Sequence, residues 1–263
     1  MTGRQLARVS VTNYHETVWS DVFEGSRHTL HCLQPAVLAA ETALELVPDR
    51  RKRVVWRTDG GAGSDEHIRW LLARDYQLVV KGLSNRRAEA LARQVTRWDA
   101  YDDIWLGRVE PPVDYGRPVQ VFVQKRLKKG RYRHSYYVTT LKLPSKGAFM
   151  ACYNRRGGAE VEQFRNDKNG LHLAARRKRL LPAQKSLILL TDLAHNLLAD
   201  FHHAALTGTP FEGFGPKRIV RDLLAIPGRL FFEGSQLKRI ELLKSHQNAK
   251  DLLICLERYC SGD

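Results

Sequence analysis

The chain has 263 residues, enough for one large domain or two small ones. Hydrophobic residues make up 43% of it, which excludes a wholly disordered protein. A formal net charge of +15 favours a polyanionic partner, because Lys and Arg release counterions from a phosphate backbone.

LARVSVT (6–12) alternates apolar and polar residues, as a half-buried strand does. A turn at Thr12–His15 leads to ETVWSDVFEG, a second strand ending on Gly25. HCLQPAVLAAETALELV (31–47) has apolar residues at helical spacing, with Pro35 in the first turn, where a missing N–H costs nothing. RKRVVWRTD (51–59) is a short strand behind a basic cluster. GGAGS follows, then a helix DEHIRWLLARDY capped by Ser64 or Asp65. QLVVKG (77–82) is another short buried strand, and SNRRAEALARQVTRW (84–98) a helix. Residues 1–98 thus read β-β-α-β-α-β-α, a mixed α/β pattern with parallel pairing.

Between 99 and 144 the periodicity changes. DDIWLGRV, PVQVFVQKRL and RYRHSYYVTTLKL are strands separated by turn residues. They carry Lys125, Arg126, Lys128, Lys129, Arg131, Arg133 and His134, interleaved with Tyr132, Tyr136 and Tyr137. Two readings stand for this segment: a hairpin with one solvated charged face, or a basic β-ribbon lying on a DNA backbone. From Pro144 onward the chain reads almost wholly helical, with helices at 148–168, 182–206, 215–226 and 235–260. The run Arg176, Arg177, Lys178, Arg179 reads as a phosphate-contacting cluster. His195, on an apolar helix, reads as a satisfied core histidine.

Cys32, Cys152, Cys255 and Cys260 form no C-x-x-C, which argues against a zinc site or a disulfide framework and fits a reducing cytoplasm. No apolar run approaches the ~20 residues that span a bilayer. No membrane partner and no small-molecule cofactor are expected.

Asp59 closes an apolar strand at its carboxyl end, where open α/β sheets form their ligand crevice. Small residues follow it and leave space for a ligand or a metal. The same residue also suits a turn cap, and both readings remain open. GGAGS lacks the G-K-[ST] ending of a phosphate-cradling loop. The second acidic stretch is YNRRGGAEVEQFRNDKNGL (153–171). On a helix, Arg156 and Tyr153 share the face of Glu160, which alone would describe a surface helix with an i,i+4 ion pair. Paired glycines at 157–158 cost a helix about 1 kcal/mol each and suggest close approach or a kink.

Tyr153, Arg156 and Glu160 have the spacing Y-x2-R-x3-E, which resembles the signature of DDE transposases of bacterial insertion sequences. In that signature a Lys follows the Glu after six residues. Here that slot holds Asp167, and Lys168 comes one later, so either Glu160 or Glu162 is the counterpart, with Glu160 preferred. RTDGGAGSDEHIRWLLARDYQLVVKG is similar to the family's second-Asp segment, and LTDLAHNLLADF to the helix after the Glu motif.

The resemblance implies an α/β ribonuclease H-like mixed sheet flanked by helices. It divides into a first core part (1–98), a β-rich insertion (99–144) and a helical part (145–263) that completes the core. It also implies DNA cleavage and strand transfer at element ends with two Mg²⁺ or Mn²⁺ ions. Hard carboxylate oxygens suit such ions, which steady both the attacking and the leaving oxygen of a phosphodiester displacement. Asp59 would be the second metal ligand and Glu160, or Glu162, the third. Arg156 and Lys168 would contact phosphate, and Tyr153 would position the DNA end. The implied partners are DNA and a second copy in a homodimer. The implied setting is a bacterial cytoplasm, on the nucleoid when bound to DNA.

The family's first Asp lies on a strand upstream of the one LARVSVT resembles, and no Asp precedes Asp21 here. Asp21 is a poor substitute. The expectation is therefore a truncated copy, weakly active or inactive by itself, or a non-catalytic DNA-binding remnant.

Overall fold

The computed structural model describes residues 4–25, 30–155, 163–173, 175 and 178–261. Two compact units divide the chain. The first holds Met1–Val9 with Phe23–Gly157, the second Ser10–Val22 with Gly158–Asp263.

The chain starts with β1 (Arg4–Val11) and β2 (Glu16–Glu24), which form a two-stranded sheet of their own. In the first unit, α1 (Leu30–Ala43) and a single turn α2 (Pro48–Arg51) lead to β3 (Val55–Thr58), α3 (Asp65–Ala73), β4 (Gln77–Lys81) and α4 (Asn85–Ala92). The strands β5 (Asp99–Tyr101), β6 (Ile104–Val109), β7 (Gln120–Lys128) and β8 (Arg131–Thr139) follow, then α5 (Lys146–Asn154). Six strands make one mixed sheet in the order β3-β4-β8-β7-β6-β5. Only β3 and β4 run parallel, with Arg57 opposite Val79 and Thr58 opposite Val80, while the other neighbours are antiparallel.

Both faces of this sheet are covered, which explains why QLVVK reads as a continuous apolar run rather than an alternation. On one face Leu78, Val80, Val121, Val123, Tyr136 and Val138 pack against Val37 of α1, Ile68, Leu71 and Leu72 of α3, and Leu91 of α4. On the other, Val79, Leu106, Phe122 and Tyr137 pack against Phe149, Met150 and Tyr153 of α5. The Phe122 and Phe149 rings stack at 4.4 Å. Ser64, Ser84 and Ser145 cap α3, α4 and α5, each accepting a backbone N–H of the first turn, as small hydroxyls at this position do.

The helix expected to run to Trp98 ends at Ala92. Beyond it Val95 fills the space over Gly107, where an added Cβ would lie 2.2 Å from Val95 Cγ1. Sheet packing claims that segment ahead of helical propensity.

In the second unit, α6 (Gln163–Gly170), α7 (Leu181–Phe201), a π turn (His202–Leu206), a short α8 (Pro216–Arg218) with a π turn (Ile219–Leu223), β9 (Gly228–Glu233), β10 (Gln236–Leu242) and α9 (Ala249–Ser261) follow in order. The expected helix 148–168 is present over α5 and α6. The stretch between them lies outside the described residues and includes Arg156, Glu160 and Glu162. The expected helix 235–260 is corrected: its first part is β10, paired antiparallel with β9 around Gly234 and Ser235. Gly234 has φ +59°, and a two-residue Gly-Ser connection between Phe-rich and Ile-containing segments is a hairpin signal.

The start of β2 is strapped to α7. The Asn196 amide accepts from Thr17 N at 2.8 Å and donates to Thr17 O at 2.9 Å, imitating a strand ladder. His195 is buried, as the sequence suggests. Its Nδ1 meets Asp167 Oδ1 and its Nε2 the His15 carbonyl, each at 2.7 Å. Both ring nitrogens are thus engaged, which fixes the plane of the ring between α6 and the turn before β2. Phe201, Leu206, Phe211, Phe214, Leu223 and Leu252 form the apolar centre of this unit.

Glu41 of α1 is a buried carboxylate in the first unit. It accepts from Arg74 Nε at 2.9 Å and Tyr76 Oη at 2.7 Å, and lies 3.2 Å from Arg51. Burial alone would raise its pKa, but the hydrogen bonds and charges of Arg74, Tyr76 and Arg51 outweigh it and hold the pKa below 4.5. A depressed carboxyl stabilises the fold above the unfolded pKa, and that contribution fades as pH falls through the folded value. Glu41→Gln is expected to lower stability at pH 7 by about 2 kcal/mol, less than a fully buried pair because both arginines are partly exposed. It is also expected to flatten the loss of stability below pH 4.5. Urea unfolding at pH 7 and pH 4 measures both effects.

Candidate functional site

Asp59 follows Thr58 at the carboxyl end of β3 with extended backbone, φ −77° and ψ 179°. Its Oδ1 accepts the Gly61 N–H at 2.9 Å and caps the turn Gly60–Ala62. No described residue hydrogen-bonds the exposed Oδ2. The two readings of Asp59 therefore coexist in one side chain: one oxygen caps, and the other is a hard donor suited to Mg²⁺ or Mn²⁺. Among the described residues, no three His, Cys, Asp or Glu side chains stand close enough together to hold a metal ion. Glu160 and Glu162 lie outside those residues.

The glycines after Asp59 serve close backbone approach more than open space. A Cβ on Gly63 would lie 1.9 Å from the Lys81 carbonyl oxygen, and one on Gly82 would lie 2.0 Å from the Tyr136 ring. The Leu83 N–H bonds the Gly63 carbonyl at 3.0 Å, and the Gly82 N–H the Tyr136 carbonyl at 2.8 Å. The ends of β3 and β4 are thus locked side by side. The stem of Lys81 crosses the capped turn: a Cβ on Gly60 would lie 3.8 Å from Lys81 Cδ.

Lys81 borders two clefts of the first unit. The smaller, about 390 Å³, is also lined by Tyr101, Asp103, Arg126, Tyr137 and Tyr153. Tyr153 is 6% exposed, and its ring meets Tyr137 edge-on at 4.7 Å. It is a core residue with one side on this cleft. The larger cleft, about 820 Å³, is lined by Lys81, Arg126, Lys128, Lys129, Arg131 and Arg133.

The four expected hairpin contacts divide between two places. Arg126 and Lys128 share a sheet face with Gln124, and Lys129 sits at the turn with φ +51°. Lys125 points to the other face, its ammonium 4.5 Å from the Trp98 ring centre, 5.3 Å from Trp105 and 5.2 Å from Tyr132. Beyond the hairpin, Lys168 is exposed on α6 while Asp167 beside it is fully buried. Lys178 and Arg179 are exposed, and the Lys178 N–H bonds Gln184 Oε1 at 2.8 Å. Arg156, Arg176 and Arg177 lie outside the described residues.

Sequence reasoning passed over Lys81 as a site residue. The available signal was its place as the last residue of a buried strand beside the strand carrying Asp59. Strand parity was the signal that separates Lys125 from Arg126 and Lys128.

The sequence profile of the family described as Transposase DDE domain matches residues 3–197. The chain belongs to that family. Among curated proteins, none matches the chain. The six-stranded mixed sheet flanked by helices, with the helical C-terminal part, is the ribonuclease H-like architecture of a transposase DDE domain. The family is one of DNA-cutting and DNA-joining enzymes that generally use divalent ions. No described helix is long and apolar enough to cross a membrane.

The strand-end geometry is testable by overpacking. Gly63→Ala sets a methyl against backbone that cannot swing away, and is expected to destabilise by about 3 kcal/mol. Gly116 has φ +77° with nothing within 4 Å of an added Cβ, so Gly116→Ala is expected to cost only about 1 kcal/mol of backbone strain. Urea midpoints of the two variants check the order.

Proposed function

We propose that this chain is the catalytic part of an insertion-sequence transposase that nicks DNA and transfers strands at element ends. The observation that carries the reading is a family match over 3–197 with Asp59 at the carboxyl end of the parallel strand pair, one of its oxygens without a hydrogen-bond partner among the described residues. Asp59 and Glu160, or Glu162, would hold the divalent ions. Bound there, such ions supply charge that steadies the attacking and leaving oxygens of a phosphodiester displacement. Arg156, Lys168, Arg176, Arg177, Lys178 and Arg179 would hold DNA phosphates by charge-assisted hydrogen bonds. Tyr153, its ring set edge-on with Tyr137, would steady the DNA end from the wall of the smaller cleft.

Asp21, on β2, is a poor substitute for the third acid. It bonds Lys185 at 2.7 Å and its own neighbour's N–H at 2.7 Å. With two of three carboxylates, activity is expected to be weak, because groups that act as a unit fail together. The same observation favours a second reading, a DNA-binding protein without turnover.

Calorimetric titration with Mn²⁺ and a plasmid-nicking assay with Mg²⁺ or Mn²⁺ decide between them. Mn²⁺ binding that is lost in Asp59→Ala and in one of Glu160→Gln or Glu162→Gln, together with slow nicking, is the expected result. Salt-sensitive DNA binding with no Mn²⁺ binding and no nicking would establish the non-catalytic reading instead.

A further inference from the structure

The faces of β7 and β8 are sorted by charge. Directly opposite residues share a face, so Arg126 faces Arg133 and Lys128 faces Arg131. Like charges set directly across two strands oppose pairing, and two successive pairs of that kind are a liability that the fold alone does not explain. Arg126 has Asp103 as partner. Lys81, Lys128, Lys129, Arg131 and Arg133 have no ion-pair partner among the described residues. Five uncompensated cations thus border one cleft of about 820 Å³. Lys125, the cation of opposite parity, is enclosed by Trp98, Trp105 and Tyr132 on the other face. What the charged face lacks is a row of anions.

We propose that this face is a track for one phosphodiester strand of DNA, and that Lys81 at its inner end seats a phosphate beside Asp59. The inference rests on the transposase reading and deepens it by naming where the strand runs. The stretch from Gln124 to Lys128 spans about 13 Å at ~3.3 Å per residue. Residues on one face recur every two positions, ~6.6 Å apart, a step of the same order as that between successive phosphates along one strand. Rows on β7 and β8 lie ~4.8 Å apart, so both can reach the same backbone. At the inner end β8 pairs with β4, placing Lys81 opposite Tyr137. The stem of Lys81 lies over the turn that Asp59 caps. The cleft therefore leads from Lys129 at the hairpin tip to Lys81, the neighbour of Asp59 on the adjacent strand end. Recognition along it depends on charge and spacing and is indifferent to base sequence.

The test uses the full chain and a fluorescein-labelled 30-base-pair duplex of arbitrary sequence, with binding followed by anisotropy across a KCl series. Each phosphate contact contributes about 0.9 to the slope of log K against log salt. The double variant Arg131→Ala with Arg133→Ala is expected to reduce that slope by about 1.8. Lys81→Ala is expected to reduce it by about 0.9, and Lys81→Arg to restore it. Lys125→Ala removes an equal charge from the opposite face and is expected to leave the slope unchanged. Circular dichroism melting confirms that each variant is folded. Should Arg131→Ala with Arg133→Ala fail to fold, Lys128→Gln with Lys129→Gln serves in its place, with the same expected loss. If the wild type binds the duplex and the charge variants bind with the same slope, or if Lys125→Ala loses as much as Lys81→Ala, the track is wrong while the transposase reading stands. If the wild type does not bind the duplex at all, the transposase reading itself falls.

Discussion

At the carboxyl ends of β3 and β4, backbone touches backbone. Gly63 lies against the Lys81 carbonyl and Gly82 against the Tyr136 ring, and no side chain fits at either position. Two backbone hydrogen bonds, Leu83 to Gly63 and Gly82 to Tyr136, hold that approach. The parallel register of β3 and β4 then places Asp59 and Lys81 on adjacent strand ends. An acid and a base are brought together there by sheet geometry rather than by an ion pair between them. Everything on this edge follows from that closeness: the capped turn, the lysine stem across it, and the two clefts that share Lys81.

The sheet that supports this edge was largely legible in the sequence. Short runs such as QLVVK and VVWRT declare themselves by apolar content bounded by turn residues, and Ser64 and Ser84 mark the following helices. The position of Asp59 at a strand end was readable for the same reason. What could not be read was the use of its neighbours. A run of small residues looks the same whether it leaves room for a ligand or lets two backbones meet, and only the distance from Gly63 to the Lys81 carbonyl separates these cases.

Other features were obscured by competing signals. Leu237, Ile240 and Leu243 have spacings that suit a helix, but Gly234 and Ser235 form a two-residue turn, and residues 228–242 fold as a hairpin. Periodicity over so few residues does not decide between the two. The segment after Ala92 has helical composition, yet Val95 is drawn onto Gly107 and Trp98 onto the Lys125 ammonium. In α6 the slot where the resemblance would put a Lys holds Asp167. Its burial against His195 shows why a lysine would not suit it, and why Lys168, one position on, faces solvent. Glu160 and Glu162, the alternatives that the resemblance suggests, lie outside the described residues.

The β7–β8 hairpin shows how a sheet tolerates charge that works against its pairing. Its inner half is clamped on both sides, with Val121, Val123, Tyr136 and Val138 in one core and Phe122 and Tyr137 under α5 in the other. Each opposed cation pair in the outer half works against that by a few tenths to about 1 kcal/mol. Lys125 over three aromatic rings returns a similar amount on the far face. The balance leaves the outer half ordered but electrostatically unsatisfied. An anionic strand laid along it would relieve repulsion that folding leaves in place, so binding there gains from a strain already present in the free protein. The acids Glu41, Asp65 and Asp167, by contrast, are taken up by Arg74, Arg87 and His195, so they offer this face no compensation.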